Sequence, residues 1–134
     1  MGVPNVYNSI DVLLKVDFDP GLTFPILEAC ACQTPFVSTF VGIEDQFDDA
    51  GIVIYPDEAD NTGNGRGWYV YHIPEVIERA RKAIIFMRDH KEEREKMGIK
   101  GRTKILVNYS WDQQIPKWEE FFDTALKMAE EAKK

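Results

Sequence analysis

Three short apolar runs limit this chain more tightly than any other feature: "IDVLLKV" (10–16), "PFVST" (35–39) and "GIVIY" (51–55). Each is too short for an ordinary helix, is rich in Val, Ile and Leu, and is bounded by polar or turn-forming residues. All three therefore read as buried strands. Between the first two lies "FPILEACACQ", with Pro25 near its first positions and Thr23 available as a cap, the expected start of a helix. Between the last two lies "GIEDQFDDA", with room for one or two helical turns. Strands alternating with helical segments predict an α/β fold: half of a Rossmann-like parallel sheet flanked by helices.

The remaining chain is helical in pattern. Pro74 opens a helix in which Ile77, Ala80, Ile84 and Met87 recur at helical spacing. A charged helical region follows at 91–107, with Gly98 and Gly101 expected to interrupt it. Ser110 and Gln113 form a capping-box pattern before a long C-terminal helix that carries Trp111, Ile115, Trp118, Phe122 and Leu126 along one stripe. Such a stripe is either core packing or a docking face for something outside this chain. Between strands and helices, "PDEADNTGNGRG" (56–67) reads as an exposed loop; its glycines lack dinucleotide-fingerprint spacing. Arg66 could reach a phosphate from that loop. Trp68, Tyr69 and Tyr71 beyond it either stack on a base or sugar, or pack under the loop.

Composition narrows the function classes. With 134 residues, 44% of them hydrophobic, the chain can bury one core, so 1–134 is expected to be a single domain. No run of eighteen apolar residues occurs and no basic-then-apolar leader opens the chain, so a cytoplasmic protein with no membrane span is expected. A net charge of −7 argues against a nucleic-acid partner, whose binding needs Lys and Arg to neutralise phosphates. Cys30 and Cys32, two apart on a helix, point away from each other; they read as small packing residues, not as a disulfide. With only His72 and His90 besides, no metal site is expected.

The turn "VDFDPGLTFPILEACACQTPFVST" (16–39) carries the candidate chemistry, and it has two readings. Asp17 and Asp19, two apart at a strand end, have the spacing of the first motif of haloacid-dehalogenase-type phosphatases, nucleophile first and acid or base second. That family continues Asp-Gly-Thr, whereas Pro20 precedes Gly21 here. Alternatively, a glycine at a strand-to-helix turn lets backbone N–H groups and the positive end of the helix hold a phosphate without a basic side chain, which suits an acidic protein.

The second reading uses more of the chain. Tyr7, Asn8 and Asp11 ahead of the strand, then Gly21, Pro25, Ile26, Leu27, Glu28 and Ala29, then Cys32, Thr34, Pro35 and Val37, follow in order the pattern of group 1 glycosyltransferases of the GT-B fold. "NYSWDQQIPKWEEFF" resembles that family's terminal Phe-Ser-Trp helix, which extends the resemblance over nearly the whole chain. The resemblance implies that 1–134 corresponds to the second half of the C-terminal, donor-binding domain. It implies a nucleoside-diphosphate sugar as donor substrate, held by Gly21, Leu22, Thr23 and Glu28, with no cofactor required. Glu28 would accept from the ribose hydroxyls, as a carboxylate can from two neighbours at once. The family's first glutamate falls on Pro20, so Asp19 is the catalytic candidate. The family's diphosphate-neutralising strands and its acceptor domain have no counterpart in 1–134. The chain alone is therefore expected to be inactive, a hexosyltransferase fragment or a non-catalytic interaction module. Its partners would be the missing N-terminal domain or another chain, through Trp111, Trp118 and Phe122. If that aromatic face is uncovered, the isolated chain is expected to self-associate.

Overall fold

The structure, a computed structural model, describes residues 2–18, 21, 23–59 and 69–132. In chain order, its elements are α1 (Val3–Tyr7), β1 (Leu13–Lys15), α2 (Phe24–Ala31), β2 (Phe36–Thr39), a 3-10 turn (Glu44–Phe47), and β3 (Gly51–Ile54). There follow β4 (Glu58–Ala59), β5 (Tyr69–Val70), α3 (Ile73–Asp89), α4 (Lys91–Asn108) and α5 (Trp111–Glu131). β1, β2 and β3 form one parallel sheet in sequential order, Leu13 facing Phe36 and Phe36 facing Gly51. β4 and β5 make a separate antiparallel pair. The α/β architecture predicted from the three apolar runs is the one observed.

β2 is the central strand, and all four of its residues are buried. One side of the sheet packs Phe36 with Ile26 and Cys30 of α2 and with Phe47 and Ala50. The other packs Val37 and Ile54 against Ala80, Ala83 and Met87 of α3. Alternate residues of a strand face opposite ways, so Phe36 and Val37 anchor one core each. α3 is pinned to the end of β3: Asp57 accepts from the His72 N–H at the start of α3 (2.9 Å) and pairs with Arg79, which also donates to the Tyr55 carbonyl. The His72 N–H and the Arg79 guanidinium hold the Asp57 carboxyl below its ordinary range.

Five expectations from the sequence need correction. The first apolar run is an edge strand, not a buried one: β1 pairs only with β2 among the described residues, and Leu14 and Val16 stay half exposed. On α3 the buried stripe is Val76, Ala80, Ala83 and Met87, while Ile77 points outward. α4 runs through Gly98 and Gly101 without a break. Both glycines are buried where α4 crosses the end of α2, because a Cβ on Gly98 would lie 2.1 Å from the Gln33 carbonyl oxygen and one on Gly101 3.0 Å from Cys30 Sγ. Close approach offsets the roughly 1 kcal/mol that each glycine costs a helix. Arg102, one residue on, donates to the Ala31 carbonyl at the end of α2, a cation where the helix dipole favours one. Ser110 begins α5 without a side-chain cap; its hydroxyl donates back to the Leu106 carbonyl (2.8 Å). Cys30 is buried as expected, but Cys32 is only partly so, and both are free thiols.

α5 departs most from an ordinary globular element. None of its 21 residues is buried, and its aromatic stripe is in the open, with Trp111 76% and Leu126 64% exposed. Core packing is therefore not what the stripe does within this chain. Pro116 inside the helix has no N–H to offer the Asp112 carbonyl. No described helix is long and apolar enough to cross a membrane.

Candidate functional site

The ends of β1 and β2, the turn before α2 and the 3-10 turn meet at one edge of the sheet. Open α/β sheets generally bind ligands in the crevice beyond the carboxyl ends of their strands. Asp17 follows β1; its N–H donates to Thr39 Oγ1 (2.9 Å), and that hydroxyl donates back to the Asp17 carbonyl. The two strands are thereby tied together at the point where they end. The Gly21 N–H donates to the Val41 carbonyl (3.0 Å), which brings the glycine turn against the loop after β2. There it meets Gly42, where a Cβ would lie 2.2 Å from the Gly21 carbonyl oxygen, so no other residue fits.

Gly21 itself is different. A Cβ added there would meet nothing within 4 Å among the described residues, its chain neighbours aside. Beside it, Thr23 begins α2 but its hydroxyl does not cap the helix; the side chain is buried and Oγ1 has no hydrogen-bond partner among the described residues. The Thr23 carbonyl instead accepts from the Ile26 N–H (3.0 Å).

A charged group lies beneath this turn. Glu44 is fully buried, its Oε2 accepting from the N–H groups of Val41 (3.2 Å) and Gly42 (2.7 Å). Its Oε1 has no hydrogen bond and sits 4.0 Å from Lys15 Nζ, which lies 3.3 Å from Asp17 Oδ2. Lys15 is itself without an aligned hydrogen bond. Lys15, partly buried between two carboxylates, is stabilised by their charge. Lys15 Nζ, Thr23 Oγ1 and Glu44 Oε1 are buried atoms without a hydrogen-bond partner among the described residues, whereas most such atoms in native folds find one.

Glu28 belongs to a second contact. From the second turn of α2, its Oε2 accepts from the Tyr7 hydroxyl (2.9 Å), and the Tyr7 carbonyl accepts from Thr34 Oγ1 (2.9 Å). Burial first, then the bond to Glu28 and that residue's charge, push the Tyr7 hydroxyl up to about 12. No hydrogen bond or ion pair among the described residues joins Glu28 to the Lys15 group.

Aromatic side chains border the crevice. Tyr71 donates to the Phe40 carbonyl just past β2, and its ring meets that of Phe18 edge-on at 5.4 Å. Phe18 stays about one-third exposed beside it. Asp19, Pro20 and Leu22 lie outside the described residues, as do Arg66 and Trp68.

The structure thus ties Asp17 to Thr39 and Gly21 to the loop after β2, and holds Glu28 on Tyr7. Lys15, Glu44, Thr39 and Gly42 were not singled out from the sequence. A single charge inside "VLLKV" was the available sign for Lys15; nothing distinguished Glu44 from the acidic residues around it. No protein-family profile, curated protein or solved structure matches this chain.

Proposed function

We propose that this chain is the nucleotide-sugar-binding part of a glycosyltransferase, taking a nucleoside-diphosphate sugar at the carboxyl ends of β1 and β2. The observation that carries the reading is the free space on the side-chain face of Gly21 beside the Thr23 hydroxyl, unpartnered among the described residues, at the amino end of α2. The diphosphate lies against the turn, where backbone N–H groups, the α2 dipole and the Thr23 hydroxyl favour an anion. Lys15 contributes a cation to the crevice, at a position that also orients Asp17. The carboxylates serve hydroxyls: Asp17 those of the sugar, and Glu28, pre-aligned by Tyr7, those of the ribose.

Such a half-site binds a donor but does not transfer it. Stabilising a departing diphosphate and presenting an acceptor both require more charge and more surface than the crevice offers. The base, the sugar and the acceptor class would be set by parts that contact them from outside this sheet edge.

Calorimetric titration with UDP, GDP and ADP and with their glucose and mannose conjugates tests the reading. Saturable binding of one of them, lost in Glu28→Ala while Tyr7→Phe retains it in weakened form, is the expected result. A folded chain that binds none of them would overturn it. A second reading, a non-catalytic interaction module, is favoured by the uncovered aromatic face of α5 and predicts partner capture without small-molecule binding.

A further inference from the structure

Two unsatisfied apolar surfaces occur far apart in the sequence. The first is α5, whose stripe of Trp111, Ile115, Trp118, Phe122 and Leu126 has no cover. The second is an open groove of about 510 Å³ between the outer face of β1 and α3, lined by Leu14, Val16, Val76, Ile77, Ala80 and Ile84, with Arg81 and Ile85 completing it. Leu14, Val16 and Ile77 are each between 43% and 62% exposed, because β1 is an edge strand and, among the described residues, nothing covers α3 on that face. Small-molecule sites place several polar groups to fix orientation. This groove offers only Arg81, and an apolar helix suits it better.

We propose that the occupant is α5 of a second copy of this chain, and that two copies exchange α5 helices reciprocally, each laying its aromatic stripe in the other's groove. Charge selects this pairing over the simpler one of α5 against α5. Within 111–131 there are six acidic residues and two lysines, a net charge of −4, so two α5 helices side by side repel. α3 carries four basic and three acidic residues, net +1, with Arg81 at the groove itself. Area agrees. The chain exposes 9152 Å², against ~7,200 Å² for a compact 15.4 kDa monomer, an excess of about 2,000 Å². A standard interface removes ~800 Å² from each partner. Reciprocal exchange also closes on itself, whereas one-way docking would continue into a filament. The inference does not depend on the ligand reading.

Sedimentation velocity on the full chain, across micromolar to sub-millimolar concentration, tests it with two variants. Trp118→Glu places a carboxylate in the stripe and Ile77→Glu one in the groove. Both positions are exposed, and circular dichroism melts check that each variant folds. The wild type is expected at twice the monomer mass, with each variant weakened by about tenfold or more. An equimolar mixture of the two, at a concentration where each alone is monomeric, should regain dimer, because an intact α5 then meets an intact groove. A monomeric wild type overturns the proposal. So does an Ile77→Glu variant that dimerises like the wild type, which would mean α5 pairs with α5, and so does a mixture that stays monomeric.

Discussion

The sheet with α2 to α4 and the C-terminal helix carry similar proportions of apolar side chain, yet they stand at opposite extremes of packing. Phe36, Ile26 and Phe47 have no exposed surface, and Gly98 and Gly101 allow α4 to approach α2 as closely as backbone atoms permit. α5 buries nothing. Apolar periodicity on a helix shows that a face is to be covered; it does not show whether the cover is in the same chain. Most helix stability in proteins comes from packing of an apolar face, so a cover over its stripe would add to the stability of α5.

Substitutions that break this contrast run from large effects to small. Phe36→Ala removes the ring at the centre of the α2 side of the core and should destabilise the fold by about 3 to 5 kcal/mol in urea titration. Gly98→Ala forces a methyl toward the Gln33 carbonyl and should cost about 2 to 3 kcal/mol, unlike the gain that alanine brings to an exposed helix.

Alkaline pH separates the core from α5 in another way. Burial pushes the Cys30 thiol from 9.0 to about 12, and Tyr7 is raised from 10.0 to a similar value. Both groups hold their proton more tightly folded than unfolded. Their contribution is therefore complete below pH 9 and is lost as pH rises toward 12. Melting temperatures should fall across that window, and Tyr7→Phe should flatten the part above pH 10. A melting temperature constant from pH 9 to 12 would place both groups in water.

At the end of α2, Gln33 adopts a left-handed conformation (φ 61°), with the Gln33 N–H donating to the Cys30 carbonyl and the Thr34 N–H to that of Ala29. This is the helix-ending motif that glycine serves best. Gln33→Gly should raise stability by about 1 kcal/mol. Smallest of all, Trp118→Ala should change the stability of the monomer by no more than about 0.5 kcal/mol, measured at a concentration too low for association. A loss of several times that would mean that α5 is held within its own chain.

Much of the core was legible in the sequence because run length and residue type are local signals: three apolar runs gave three strands, and Pro25 and Pro74 stand in the first turns of α2 and α3. What was not legible depends on partners distant in the chain. β1 looked buried because its residues are apolar, but only its pairing decides that it lies at an edge. Gly98 and Gly101 looked like helix breakers because intrinsic propensity takes no account of Gln33 and Cys30 pressing on them. For the candidate site, the turn at Gly21 was legible as a motif, and the Tyr7–Glu28 bond joins two positions of that same motif. Lys15 and Glu44 were not, since a buried charge differs from a solvated one only in its surroundings.

Nitrogen–proton correlation spectra of the labelled chain, recorded while a nucleoside diphosphate is added, test the central claim that a diphosphate lies at the strand ends. Saturable shifts of the Gly21, Thr23, Phe24 and Gly42 amides are predicted, together with Lys15 if its ammonium takes part. Shifts confined to α3 and α5, or none at any concentration reached, would contradict it.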